Sequence, residues 1–149
     1  MKNPWYRNGL RFDCHRSGKC CSGPTGRVWF TPDELQAMSA RLELLPFEFL
    51  QRYARRLGGR WSLVEVTGAT GLDCVFLDRD QSGLSSCRIH EVRPAQCRTW
   101  PFWPENVISE ACYIEKGQVC RGIRAGLNGV GKLYELEEIE RHRLDTPQT

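Results

Sequence analysis

The chain has 149 residues, 40% of them hydrophobic and 26% charged, with a formal charge of +3. Those proportions belong to a globular protein with a modest core. They exclude a membrane span, for which roughly 18 consecutive apolar residues are needed, and a nucleic-acid binder, for which no dense basic run with interleaved aromatics is present. The first residues, MKNPWYRNGLRFDC, show no apolar leader segment, so a cytoplasmic protein is expected.

In chain order, the first feature is CHRSGKCC, Cys14 to Cys21, which places three thiols within one short stretch. FTPDELQAMSARL follows with a helix start: Thr31 caps, Pro32 fits the first turn and Glu34 completes a capping box. Leu35, Met38 and Leu42 then recur at helical spacing. A second helix is predicted through PFEFLQRYARRL, with Leu50, Tyr53 and Leu57 on one face and Gly58–Gly59 as the stop. WSLVEV, CVFL and SCRIH are short and rich in β-branched or aromatic residues and predict strands. DRDQSG between the last two predicts a hairpin turn. RPAQCRTWPFWPENV, with three prolines, predicts an ordered loop or a single helical turn. NGVGKLYELEEIERHRL predicts an amphipathic helix carrying Leu133, Leu136 and Ile139, and the terminal TPQT is expected to fray. The fold class expected is α+β. A short hairpin or sheet and cysteine-bearing loops pack with three or so helices around a metal site, in a single domain over 1–149. Its cysteine-bearing core runs over about 12–125 and its C-terminal helix over about 128–144.

Eight cysteines carry the chemistry: Cys14, Cys20, Cys21, Cys74, Cys87, Cys97, Cys112 and Cys120. In a reducing compartment clustered thiols bind metal more often than they form disulfides. The first six are the stronger candidate ligands, and Cys112 and Cys120 the weaker; one of these two alternatively serves as a buried thiol. No paired C-x2–4-C knuckles occur, which disfavours a zinc finger or ribbon and excludes a C-x-x-C redox pair. The fold itself must gather the ligands. Neighbouring side chains diverge on an extended backbone, so the adjacent Cys20 and Cys21 suit different metals, or different irons of one cluster, better than one small tetrahedral ion. A tetrathiolate zinc site or 4Fe–4S cluster carries about two negative charges, so two such sites would reverse the sign of the +3. Arg16, Lys19, Arg88, Arg98 and Arg121 flank cysteines and either favour the thiolate form or are solvated surface charges.

The remaining candidates each have a plainer alternative. His90 is a possible ligand, but a hydrogen bond within the hairpin is the simpler expectation. His15 and His142 are expected to be exposed. Arg93 and Arg98 either donate to cluster sulfurs or an anion, or pair with Asp73, Asp78 or Glu91. Trp100, Phe102 and Trp103 either wall off a cluster or, more simply, form core. GLNGVG lacks the spacing of a nucleotide-binding loop and follows no clear strand.

CHRSGKCC, GLDCVFLD (Gly71–Asp78), CRIHEVRPAQCRTWPFWP (Cys87–Pro104) and CRGI (Cys120–Ile123) together resemble the YkgJ-type cysteine-cluster family, with its CxxCxxCC signature. FTPDEL and FLQRY fit its layout as well. The resemblance implies a zinc- or iron-chelating domain and covers most of residues 12–125. Ser17 stands where the signature has its second cysteine, and serine is a poor ligand for soft metals. A related segment occurs in flagellin lysine-N-methylases, where an iron–sulfur cluster is plausible, but no methyltransferase residues carry over. Three functions follow as expectations. The leading one is a metal-binding protein holding an iron–sulfur cluster, 4Fe–4S favoured and two of them allowed, in an electron-transfer, structural or protein-modification accessory role. The second is a zinc-held module that recruits a protein partner of unknown identity. The third is a metal-dependent enzyme or enzyme subunit, for which no acid–base pair at readable spacing offers a catalytic residue.

Overall fold

A computed structural model describes residues 3–16, 18, 22–23, 27–68 and 71–147. Its elements, in chain order, are β1 (Leu10–Phe12), β2 (Ser22–Gly23), α1 (Pro32–Arg41), α2 (Pro46–Tyr53), β3 (Ala54–Leu57), β4 (Arg60–Leu63), β5 (Glu65–Gly68), β6 (Gly71–Cys74), β7 (Leu77–Arg79) and β8 (Ser85–Cys87). A 3-10 turn (His90–Val92) follows, then α3 (Ala95–Thr99), α4 (Pro104–Val107), α5 (Glu110–Lys116), α6 (Arg121–Leu127), β9 (Lys132–Tyr134) and α7 (Leu136–Asp145). The class is α+β, with every strand pair antiparallel. Two compact units form: residues 18–98, and residues 1–17 together with 99–148. No helix among the described residues is long and apolar enough to cross a membrane.

In the unit of residues 18–98, α1 begins as its sequence requires. Thr31 Oγ1 accepts from the Glu34 amide at 3.1 Å and Glu34 Oε1 accepts from the Thr31 amide at 2.8 Å, so two otherwise unpaired amides of the first turn are satisfied. Met38 is fully buried, and Leu35 and Leu42 pack beside it, as their spacing predicts. The core completes with Phe49, Leu63, Phe76 and Ile89. Phe49 stacks on Phe76 with centroids 5.9 Å apart, and Tyr53 meets the same ring at 4.9 Å.

The second helix is shorter than its sequence predicts. It ends at Tyr53, and Ala54–Leu57 form a strand paired with Arg60–Leu63. Gly58 and Gly59 have φ of 55° and 84°, which makes them a two-residue hairpin turn instead of a helix stop. The glycine signal was real, but a hairpin uses it as readily as a helix terminus does. WSLVEV divides between β4 and β5, with Val64 between them donating its amide to the Tyr53 carbonyl at 2.8 Å. CVFL likewise breaks, since β6 ends at Cys74 and β7 starts at Leu77. The hairpin predicted at DRDQSG joins β7 to β8. Asp80 Oδ1 builds its turn by accepting from the amides of Ser82 and Leu84 at 2.9 and 3.0 Å.

In the other unit, β1 pairs with β9, Leu10 opposite Tyr134 and Phe12 opposite Lys132. The core gathers Tyr6, Phe12, Phe102, Val107, Tyr113, Cys120, Ile123 and Ile139. Phe102 is thus core, with Trp100 packed against it and Trp103 edge-on to Trp100 at 4.8 Å. The proline-rich stretch holds two short helices, α3 and α4, where a loop or one turn is predicted. Helices α5 and α6 have no counterpart among the predicted elements. A capping signal for α5 was present: Ser109 Oγ accepts from the Cys112 amide at 3.1 Å, with Glu110 in the first turn and Lys116 in the last. The expected C-terminal helix loses its first part to β9, because Gly129 and Gly131 turn the chain at φ of 87° and 124° and Lys132–Tyr134 extend along β1. The helix proper starts at Leu136 and buries Ile139.

His142 corrects a second expectation. It is half-buried, its ring parallel to Phe102 at 5.7 Å and near Tyr134 at 5.8 Å, and its buried Nδ1 has no hydrogen-bond partner. Burial first, and then the nearby Arg141, lowers its pKa below the ordinary 6.5. The neutral ring is the one the fold favours, so the stability His142 contributes is complete above pH 6.5 and is lost as pH falls through the lowered folded value. Urea midpoints measured across this range are expected to show an acid-side decline that a His142→Phe chain lacks.

Candidate metal centre

The described cysteines fall in both units. Within residues 18–98, Cys74 ends β6 and Cys87 ends β8, and both pack against the Phe49–Phe76 core. Register sets Cys74 opposite Glu65 and Cys87 opposite Leu77. Glu65 Oε1 in turn takes Arg55 Nη2 at 2.9 Å. Arg88 clips the two cysteine-bearing segments together. Its amide donates to the Phe76 carbonyl at 3.0 Å and its Nη2 to the Val75 carbonyl at 2.6 Å. Those carbonyls lie one and two residues beyond Cys74, while Arg88 itself follows Cys87. The guanidinium also faces the Phe76 ring at 5.5 Å and Asp78 at 3.9 Å.

Cys97 sits on α3, whose position is held by two other side chains. Glu34 Oε2 accepts from the Ala95 amide at 2.7 Å, so one carboxylate both caps α1 and holds the start of α3. Gln96 is buried. Its Oε1 accepts from the Trp29 amide at 3.2 Å and its Nε2 donates to the Arg27 carbonyl at 2.6 Å. Gln96 did not stand out in the sequence, and Glu34 stood out only as a cap of α1, because these partners lie about 60 residues or more away. Truncating Gln96 to alanine would strand the buried Trp29 amide. Gln96→Ala is expected to cost about 2 kcal/mol, read as a denaturant midpoint shift.

Two of the flanking cations, Arg88 and Arg98, have structural partners. Arg98 Nη1 donates to the Arg93 carbonyl at 2.7 Å and lies 3.7 Å from Glu34, not beside Asp73, Asp78 or Glu91. Glu91 instead pairs with Arg41 at 3.4 Å. That partner, after its own backbone hydrogen bond, helps hold its carboxyl below the usual range. Arg93 keeps a buried Nε with no hydrogen-bond partner, and Asp73 a buried Oδ1 in the same state. His90 is exposed, in the 3-10 turn beyond β8 and outside the hairpin expected to hold it; His15 is exposed as expected.

In the other unit, Cys14 is exposed and its sulfur accepts the Arg16 amide at 3.3 Å. Arg16 has φ of 57°, in the left-handed region. Cys112 is half-buried near the start of α5, and Cys120 is buried at the N-cap of α6 within the hydrophobic core. Burial pushes the phenol of Tyr113 well above its ordinary pKa, and Cys120 adds to the effect.

No disulfide joins any two of the six described cysteines. Among the described residues, no three Cys, His, Asp or Glu side chains form a group able to hold a metal. Cys20, Cys21 and the signature-departing Ser17 lie outside the described residues. The donor chemistry fits zinc or iron, both of which take thiolate sulfur. A four-sulfur site within residues 18–98 would need at least one of Cys20 and Cys21 beside Cys74, Cys87 and Cys97.

Comparison with known proteins agrees with that donor set. An uncharacterized protein of Methanocaldococcus jannaschii is 32% identical over 97 residues, which is 65% of this chain and 48% of the relative; the chain thus matches about half of that protein's length. No solved structure matches. The family model described as "CxxCxxCC: Putative zinc- or iron-chelating domain" matches residues 13–121, from just before Cys14 to just past Cys120. The chain belongs to this CxxCxxCC family of cysteine-rich, metal-chelating domains.

Proposed function

We propose that the protein binds an iron–sulfur cluster, of the 4Fe–4S type, through four thiolates drawn from Cys20, Cys21, Cys74, Cys87 and Cys97. The observation that carries this reading is the anchoring of those last three residues. Two end strands clipped together by Arg88, and the third rides a helix held by Glu34 and Gln96. Rigid supports of this kind are what a ligand set needs. The adjacent Cys20–Cys21 pair favours a polynuclear centre over a single ion. Cys14, Cys112 and Cys120 are the reserve set for a second site, with Cys120 equally suited to plain core packing. A bound cluster would supply one-electron redox chemistry. Where every iron carries a thiolate, no coordination position is open, and the role is electron transfer or structural support in a reducing cytoplasm.

Anaerobic purification followed by iron and acid-labile sulfide analysis tests this. About four irons and four sulfides per chain, with a brown colour, are expected. A colourless protein with stoichiometric zinc and no sulfide replaces the cluster with a zinc-held interaction module.

A further inference from the structure

We propose that Arg79 is a positioning residue for the metal centre: its guanidinium rests on Gly18 and ties the stretch that leads into Cys20 and Cys21 to the β7–β8 hairpin that carries Cys87. The proposal rests on the reading that these cysteines hold metal, and not on which metal they hold.

Gly18 is buried, and its cover is a side chain distant in the sequence. A Cβ built at Gly18 would stand 2.9 Å from both Nη1 and Nη2 of Arg79 and 3.1 Å from its Cζ. The guanidinium therefore occupies the place where a side chain would begin. The glycine's φ of 75° is left-handed backbone, which glycine adopts at least cost. Position 18 thus needs glycine twice over, for its backbone angle and for the room it leaves to Arg79.

The β7–β8 register connects this contact with Cys87. Arg79 pairs with Ser85, and Leu77 with Cys87. Residues two apart on a strand share a face, as do partners across a ladder. The side chains of Arg79 and Cys87 therefore leave the same face of the hairpin. Beyond the cysteines, Ser22 and Gly23 pair with Asp73 and Leu72 of β6, the strand that ends at Cys74. Cys20 and Cys21 fall between these two anchors in the sequence. A short stretch pinned at both ends loses less freedom when its thiolates take a metal. Arg79 itself is exposed and outside the Phe49–Phe76 core, so its contact with Gly18 adds nothing to that core.

Timed metal release tests the proposal. Protein isolated anaerobically with its metal is mixed, under reducing conditions, with excess bathophenanthroline, or with pyridylazoresorcinol where the metal is zinc. Far-UV circular dichroism of the loaded chain is recorded beside it. Arg79→Ala is expected to keep the parent's dichroism and to release metal about tenfold faster, the low end of what a residue supporting a ligand costs. Arg79→Lys, which keeps the charge but presents a smaller head, is expected to fall between the two. Gly18→Ala puts a methyl where the guanidinium rests and is expected to release metal at least as fast as Arg79→Ala. Both changes remove one contact, so the double variant should be no worse than Gly18→Ala. Arg52→Ala removes the same charge from α2 and should release metal as the parent does. Release from Arg79→Ala at the parent's rate, single effects that multiply in the double variant, or equal acceleration in Arg52→Ala would each overturn the proposal. A parent chain that carries no metal would overturn it together with the reading on which it rests.

Discussion

Replacing Cys97 with serine is expected to reduce metal affinity by at least about 100-fold, because removing even a residue that supports a ligand costs 10–100-fold and this substitution removes the sulfur itself. The chain should be isolated with little metal and a lowered unfolding temperature, since metal binding in small metallo-domains is largely folding energy. The scaffold around the site is not the cause of that loss. Glu34 still bonds the Ala95 amide, and Gln96 still spans Trp29 and Arg27, since neither contact involves the Cys97 side chain. Elemental analysis beside thermal unfolding separates the outcomes. A Cys97→Ser protein with full metal content and parental stability would remove Cys97 from the ligand set. Gln96→Ala gives the complementary result, a destabilised chain that retains its sulfurs.

Gly126→Ala is expected to destabilise the protein by about 3 kcal/mol, although helix propensity alone favours alanine over glycine by about 1 kcal/mol. The two effects differ in sign, so the measurement is decisive. Helix α6 lies against β1, and the added Cβ at Gly126 would fall onto the Arg11 carbonyl, a backbone atom with no rotamer to escape into. Gly122, one turn earlier, meets the Asp13 carbonyl in the same way. Two glycines at i and i+4 share a helix face, and here that face lets a strand approach the helix backbone closely. Denaturant unfolding reads the change. A Gly126→Ala chain as stable as the parent would mean that α6 and β1 are farther apart than described.

Local chemistry was the legible part of this chain. The Thr31–Glu34 box closes over three residues and the Asp80 turn over four, and both appear where the sequence predicts them. The Leu35, Met38 and Leu42 stripe also faces the core it implied. Gly58–Gly59 was recognised as a break, but its meaning depended on whether the residues before it found a strand partner. They did, in Arg60–Leu63, and Leu57 became a strand residue. The candidate ligands were all nameable from sequence, whereas what anchors them was not. Glu34 was legible only as a cap of α1 and Arg88 only as a charge beside Cys87; their bonds across the fold, and Gln96 altogether, depend on distant partners.

The sequence by itself determined the sulfur-rich chemistry, the capped first helix, the β7–β8 hairpin and the family. These rest on residue type and on interactions spanning a few positions, which any short stretch of chain carries within itself. Only the tertiary structure decided that Lys132–Tyr134 leave the last helix to pair with β1, that His142 packs against Phe102 and Tyr134, and that glycines on α6 admit a strand. Each depends on a partner far away along the chain, as with Arg11 Nη1 donating to the Gly131 carbonyl 120 residues on. Local propensity is outweighed there by the burial and backbone hydrogen bonding that the distant segment supplies.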